Sequence, residues 1–222
     1  MHLITKKTIT MISFVTSHDV ATRANAKLWN YLSIHPSVLL LGPDAVADRL
    51  HQSLKDSPGA PLVIFSHGRR RPTHCVVGND SKPALNEESL TLVGARSVFA
   101  MACWTGLVLG NAAGRKGAVW WGFDNSVSPP PSAWLDHYRS LFTAILTTFG
   151  RLQAKIEIEI FLNEVVLKAE KLERKLVKHD IKNPEYFFIL RSLKADLKVW
   201  LPFTDEPIYH PGGVRRPLEP GD

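Results

Sequence analysis

Short apolar runs, each ending in a polar or glycine-containing turn, recur through the first 124 residues. Such runs, separated by helical or polar connections, are typical of buried parallel strands in βαβ units with right-handed crossovers. The pattern predicts strands at Thr8 to Val15, Ser37 to Leu41, Pro61 to Phe65, Ser97 to Ala102 and Ala118 to Gly122.

Helical spacing of apolar residues fills most of the connections between these runs. The pattern predicts helices at Val20 to Leu32, from a cap at Asp44 to about Leu54, and at Trp104 to Ala113. Between the third and fourth runs, we expect a short strand at His74 to Val77 and the start of a helix at Leu85 to Leu92.

The composition changes after Asp124, where Pro129 to Pro131 interrupt the chain. Three amphipathic segments follow, which predict helices from Ala133 to Phe149 with a cap at Ser132, from Leu152 to Lys178, and from Pro184 to Trp200. We therefore expect a core over 1–128, a helical part over 129–200 packed on the same domain, and an extended tail over 201–222.

Length and charge favour a single α/β domain with a helical extension. The chain has 222 residues, of which 45% are hydrophobic and 22% are charged, which is enough to bury a full core. The net charge of +6 is mildly basic, and no basic stripe interleaved with aromatics accompanies it, so we expect no nucleic-acid partner.

Cysteine usage and hydropathy indicate the compartment. The two cysteines, Cys75 and Cys103, fall on segments assigned to different places, so a disulfide framework is not expected and a reducing compartment is favoured. The N-terminus lacks a secretion signal, and no apolar run approaches the ~18 residues needed to cross a bilayer. We expect a soluble cytoplasmic protein with no membrane partner.

A histidine and a cysteine follow two of the predicted strands. Ser66-His67-Gly68 ends the third apolar run, and Cys103 follows the fourth, so both reach the carboxyl edge of one sheet. His67 could take the thiol proton, while the backbone N–H groups of Gly68 and Cys103 could bind an oxyanion. No metal or cofactor is needed for this chemistry. Motifs of α/β-hydrolases, zinc hydrolases and dithiol redox proteins are missing from the sequence.

Two stretches resemble the caspase-hemoglobinase superfamily of cysteine peptidases, which includes caspases, metacaspases, separase, gingipains and the bacterial CHAT proteases. They are PLVIFSHG (61–68) and SVFAMACWTG (97–106), and the intervening HCVVGNDSKPALNEESL resembles the strand, turn and helix of CHAT-type members. The resemblance covers about residues 8 to 128. It implies a caspase-like three-layer αβα sandwich with a mostly parallel sheet. It also implies that His67 is the catalytic histidine, Cys103 the nucleophile and Gly68 an oxyanion donor.

Two acidic residues are candidates for binding the substrate side chain. Met101 stands where metacaspases carry an acidic residue, whereas Asp19 and Asp124 stand where family members place substrate-pocket residues. We expect Asp124, or else Asp19, to bind a basic side chain before the scissile bond (P1), although each also suits a turn or a helix cap. The run Arg69-Arg70-Arg71 would reverse this preference if it faced the pocket, but we expect it to form a solvated loop.

The resulting hypothesis is a cysteine endopeptidase that uses a Cys-His dyad to cleave a partner protein after a basic residue. By family analogy, it would serve as an effector in a bacterial defence or cell-death module, such as gasdermin activation, under the control of a regulatory or sensor protein. The alternative is an inactive caspase-like scaffold that keeps the fold and binds a partner through its helical half.

Overall fold

A computed structural model describes residues 9–178 and 183–210, and its centre is a sheet of seven strands. The described residues form ten strands in all: β1 Ile9–Val15, β2 Pro36–Leu41, β3 Leu62–Phe65, β4 Gly68–Arg69, β5 Cys75–Val77, β6 Pro83–Asn86, β7 Ser97–Met101, β8 Val119–Phe123, β9 Leu197–Trp200 and β10 Ile208–Tyr209. All five strands predicted from the apolar runs are present, with ends shifted by at most one residue.

The central sheet has the order β10-β9-β8-β7-β3-β1-β2. Its five predicted strands pair in parallel, whereas β9 and β10 add an antiparallel edge next to β8. The mixed α/β class with a mostly parallel sheet is therefore confirmed. The helix predicted from Pro184 to Trp200 is wrong at its end, because Leu197–Trp200 is a strand that pairs with β8 along its whole length.

Six α-helices connect or cover the strands. They are α1 Val20–Leu32, α2 Ala47–Asp56, α3 Val108–Arg115, α4 Leu135–Thr148, α5 Lys155–Lys178 and α6 Phe188–Ala195. The prediction of α1 matches the structure at both ends. Asp44 does not cap α2, because it belongs to a short 3-10 turn, Gly42–Asp44, that precedes the helix. The segment predicted as a helix start at Leu85 lies in β6, which is followed by the 3-10 turn Ser89–Leu92.

Two layers of buried side chains separate the sheet from the elements on its faces. Strand residues such as Val63 and Phe65 point into one layer with α1, α4, α5 and α6. Their neighbours Leu62 and Ile64 point into the other layer with α2, α3, β5 and β6. This alternation is what a strand buried on both faces requires. The helices after residue 129 thus share one apolar core with the sheet.

A small antiparallel sheet, β4-β5-β6, stands beside the carboxyl end of β3. Its strand β4 begins immediately after His67, and the N–H of Val77 in β5 donates to the His67 carbonyl oxygen at 2.9 Å. The backbone of His67 is therefore fixed by a neighbouring strand instead of lying in an open loop.

Two further sequence expectations concern the membrane and the tail. Over residues 9–178 and 183–210, the helices are too short or too polar to span a bilayer. The extended tail was predicted over 201–222, and within it Ile208–Tyr209 pairs with β9. Positions 211–222 lie outside the described residues.

We predict that the helices after residue 129 unfold together with the sheet. Replacing Leu162 of α5, which is buried against the sheet, with alanine should lower the free energy of unfolding by about 2–5 kcal/mol through lost transfer energy and a residual cavity. The matched change Leu167→Ala, on the exposed face of the same helix, should cost less than about 0.5 kcal/mol. Urea unfolding followed by circular dichroism and tryptophan fluorescence measures both. Separate transitions for helix and core signals would contradict the prediction.

Candidate active site

Parallel pairing of β3 with β7 brings His67 and Cys103 to the same edge of the sheet. Phe65 lies opposite Met101 at the ends of the strands, and the Ser66 N–H donates to the Met101 carbonyl oxygen at 3.3 Å. The two chains continue side by side, because a β-carbon on Gly68 would lie only 1.7 Å from the Cys103 carbonyl oxygen. Only glycine permits this approach, so three of the predicted site residues, His67, Gly68 and Cys103, are brought together.

Asp19 is the direct partner of His67. Its Oδ2 lies 2.6 Å from His67 Nε2, while its Oδ1 accepts the Thr22 N–H at 2.9 Å as the N-cap of α1. Partial burial raises the pKa of Asp19, but the hydrogen bonds from the Thr22 N–H and from His67 outweigh it and hold this pKa well below its usual range. Asp19 is therefore ionised at neutral pH, and its carboxylate orients the imidazole. The sequence analysis also placed Asp19 at the site, but it predicted that Asp19 binds a basic side chain of the substrate.

The Cys103 thiol lies in a backbone pocket between two loops. Its sulfur accepts the Val127 N–H at 3.3 Å, and the thiol lies 3.5 Å from the Val127 carbonyl oxygen. Burial raises the pKa of Cys103, and the backbone N–H groups of Val127, Cys103 and Gly68 offset this only in part. The resting side chain is therefore a neutral thiol. The N–H groups of Gly68 and Cys103 thus lie beside the sulfur, which makes them candidate donors to an oxyanion that forms next to it.

The backbone is strained directly after Cys103. Trp104 has φ +57°, in the left-handed region that a bulky side chain rarely occupies. The Trp104 N–H donates to the Asn125 carbonyl oxygen at 3.1 Å, which holds this conformation against its cost. The sharp turn follows β7 and presents Cys103 at the sheet edge, five residues before α3 begins at Val108. Strain of this kind is typical of functional sites.

A cleft of about 640 Å³ opens beside the catalytic candidates. It is lined by His18, Asp19, His67, Gly68, Arg69, Arg70, Arg71, Val77, Ser81 and Trp104. The arginine run, which was expected to be a solvated loop, is exposed at Arg69 and Arg71 and half-buried at Arg70, and all three arginines also border this cleft. The run begins within β4, and pairing of β4 with β5 holds it along the cleft.

Asp124 does not contribute to this cleft. Its side chain is only 1% exposed, and its carboxylate forms an ion pair with the equally buried Lys198 of β9. Lys198 also lies over the ring of Tyr209, 4.6 Å from its centroid. Asp124 therefore lacks the free carboxylate that the predicted role in substrate binding requires. Sequence reasoning missed Lys198 because it assigned the residue to a helix.

His18, Asp19 and His67 are also the donors that a metal ion would use. One donor atom from each lies within 4.8 Å of the others, and His18 Nε2 is 3.8 Å from Asp19 Oδ2. Two ligands on one tetrahedral zinc ion stand about 3.3 Å apart, given bonds of about 2.0–2.1 Å. The 2.6 Å between His67 and Asp19 is instead a hydrogen-bond distance, and the three nearby arginines oppose a cation.

We predict that alkylation of Cys103 requires a higher pH than alkylation of free cysteine. The thiolate is the reactive form, and a raised pKa leaves less of it at any given pH, so the midpoint of the rate profile should lie above about pH 8.5. Iodoacetamide kinetics in a Cys75→Ala background, followed by mass spectrometry, give the profile of Cys103 alone. A midpoint at or below that of free cysteine would contradict the raised pKa.

Comparison of the chain with protein-family models, with curated proteins and with solved structures gives no match. The chemistry of the protein therefore has to be inferred from its own residues. Three groups carry that inference: the Asp19–His67 hydrogen bond, the neutral thiol of Cys103, and the backbone N–H groups that surround the sulfur.

Proposed function

We propose that this protein is a cysteine endopeptidase in which Cys103 is the nucleophile, His67 the general acid and base, and Asp19 the residue that positions His67. The observation that carries the proposal is the arrangement around Cys103. A thiol and an imidazole held by a carboxylate come from two paired strands, and two N–H groups face the sulfur. This combination supplies a nucleophile, a base with an orienting group, and oxyanion donors.

The proposed reaction begins from the neutral thiol. Rotation about the Cα–Cβ bond of Cys103 takes the sulfur from Val127 toward His67, which accepts the thiol proton as sulfur attacks the substrate carbonyl carbon. The N–H groups of Gly68 and Cys103 stabilise the oxyanion. His67 then protonates the leaving amine, which leaves a thioester on Cys103. Water, deprotonated by His67, hydrolyses the thioester and releases the acid.

Asp19 acts through His67. Its ionised carboxylate accepts a hydrogen bond from the imidazole and favours the imidazolium that forms during thiol deprotonation. The same side chain caps α1, so its position is fixed by the start of a helix that packs on the sheet. The dyad expected from the sequence thereby becomes a triad.

Membership of the caspase-hemoglobinase superfamily is part of the proposal. It is supported by the stretches 61–68 and 97–106 and by a mostly parallel sheet with helices on both faces. A protein substrate, control by a regulatory or sensor protein, and an effector role in bacterial defence, such as gasdermin activation, rest on that resemblance alone. The predicted basic P1 preference loses its support, because Asp124 is buried and Asp19 is bound to His67.

The second candidate function is an inactive scaffold that binds a partner. The hydrogen bonds between Cys103 and Val127 favour it, since they hold the thiol on a backbone group instead of on His67. A peptide-based, cysteine-directed electrophile separates the two functions. An active peptidase is labelled at Cys103 and loses the label in a His67→Ala variant, whereas a scaffold shows no labelling that depends on His67.

We predict that Cys103→Ala abolishes peptide cleavage, because it removes the sulfur nucleophile. His67→Ala should lower kcat/KM by at least about a hundredfold, in keeping with the loss of a general acid and base. Cys75, which is buried in the small sheet, provides the matched thiol control, and Cys75→Ala should cleave at the normal rate. Hydrolysis of a quenched fluorescent peptide library measures all three variants. Undiminished cleavage by Cys103→Ala would overturn the proposal.

We also predict that Asp19→Asn separates the catalytic role of this residue from its structural role. Asparagine caps helices as well as aspartate does, so the free energy of unfolding should change by less than about 0.5 kcal/mol. The loss of the carboxylate on His67 should lower kcat at least about a hundredfold and move the acidic limb of the pH profile. Asp19→Glu, which keeps the charge, should recover part of kcat. If Asp19→Asn lowered the free energy of unfolding enough to account for its loss of activity, Asp19 would instead have a structural role.

A further inference from the structure

The cleft beside His67 carries an excess of positive charge. Arg69, Arg70 and Arg71 all border it, and among the lining residues in the described part of the chain Asp19 supplies the one carboxylate. Three guanidinium groups within one cleft of about 640 Å³ create a local field that favours an anionic ligand.

Among the contacts of the described residues, Asp19 forms no hydrogen bond or ion pair with Arg69 or Arg71. Its Oδ1 accepts the Thr22 N–H and its Oδ2 lies at hydrogen-bond distance from His67. The second carboxylate expected at this edge, Asp124, is buried against Lys198. The lining therefore carries three arginine charges against one carboxylate, and Arg69 and Arg71, which are exposed, are the two available to a ligand.

The arginines remain within reach of a bound molecule. Arg69 and Arg71 are exposed, and Arg70 is half-buried. The guanidinium of Arg69 makes a contact of 3.5 Å with the Ser81 carbonyl oxygen across the small sheet, at the limit of a hydrogen bond, and this holds it only weakly. A guanidinium presents several N–H donors in a plane, which matches a carboxylate better than an ammonium does.

The position of the cleft relative to Cys103 indicates which part of a substrate would enter it. His67, Gly68 and Trp104 form part of its wall, and they flank the sulfur and the proposed oxyanion donors. A side chain next to a carbonyl carbon held at Cys103 would therefore extend into the cleft. Resting on the proposed peptidase function, we propose that the cleft selects a substrate with an aspartate or glutamate side chain beside the scissile bond and rejects lysine and arginine.

Binding to a protein that cannot cleave tests this selection directly. The full chain with Cys103→Ala, and separately with Cys103→Ser, is titrated against fluorescein-labelled hexapeptide pools in which one position is Asp, Asn or Arg and the others are randomised. Fluorescence polarisation should show the Asp pool binding at least about tenfold more tightly than the Arg pool, with Asn between them. The preference should shrink as NaCl rises from about 50 to 500 mM, since the charges are partly exposed.

Matched arginine variants identify the source of the preference. Replacing both Arg69 and Arg71 with alanine should reduce the ratio of Asp to Arg affinities to about 3 or less. Arg49→Ala removes one positive charge from the exposed face of α2, outside the cleft lining, and should leave the ratio unchanged. Equal binding of the pools, tighter binding of the Arg pool, or no measurable binding of the Asp pool would overturn the inference.

Cleavage of the same pools by the unmodified protein distinguishes this inference from the proposed function. Cleavage after Arg or Lys would overturn the acidic preference while leaving the peptidase intact. Arginine-dependent binding of the Asp pool, together with failure of Cys103 to react with the peptide electrophile, would support the acidic selectivity and overturn the peptidase.

Discussion

The site depends on one close approach between two backbones. Gly68 lies so near the Cys103 carbonyl that a single added β-carbon would fall 1.7 Å from its oxygen. This approach follows from the parallel register of β3 and β7, which is fixed because each strand buries alternating side chains in two different layers. A slip of one residue would send every side chain of the strand to the wrong face. The register that satisfies the core is thus the same register that sets His67, Gly68 and Cys103 side by side.

The helices on one face of the sheet help to fix the position of His67. Phe65 ends β3 two residues before His67, and its ring packs on Trp29 of α1 at 5.7 Å and on Phe142 of α4 at 6.5 Å between centroids. Helix α1 in turn begins at Asp19, whose carboxylate holds His67. The imidazole is therefore fixed from two directions, by its own strand and by a helix that packs on the end of that strand. The helices after residue 129 contribute to the geometry of the site through this packing, although none of their side chains lines the cleft.

The two acidic residues at the sheet edge lie in different surroundings. Asp19 is partly exposed and is bound to His67 and to the start of α1, whereas Asp124 is buried and paired with Lys198. Separating a buried pair of this kind is costly, because either charge left alone in the core would have no compensating partner. Asp19 alone then places a negative charge among the three arginines that line the cleft. The electrostatic character of the cleft is consequently set by Arg69 to Arg71, even though the sequence carries acidic residues at nearby strand ends.

The sequence by itself determined the strands, the mostly parallel class of the sheet, and the convergence of His67, Gly68 and Cys103. These features are encoded locally, in apolar periodicity and in the residues that follow each strand. Only the tertiary structure decided which groups those residues meet. Asp19 reaches His67 across 48 residues, and Asp124 meets a lysine on a segment that its local pattern assigned to a helix. Leu197–Trp200 became a strand because pairing with the open edge of β8 satisfies its backbone groups, and the sheet edge it joins lies far away along the chain. Partners that are distant in sequence leave no periodic signal, which is why the sequence placed both acidic residues near the site without indicating that they contact His67 and Lys198.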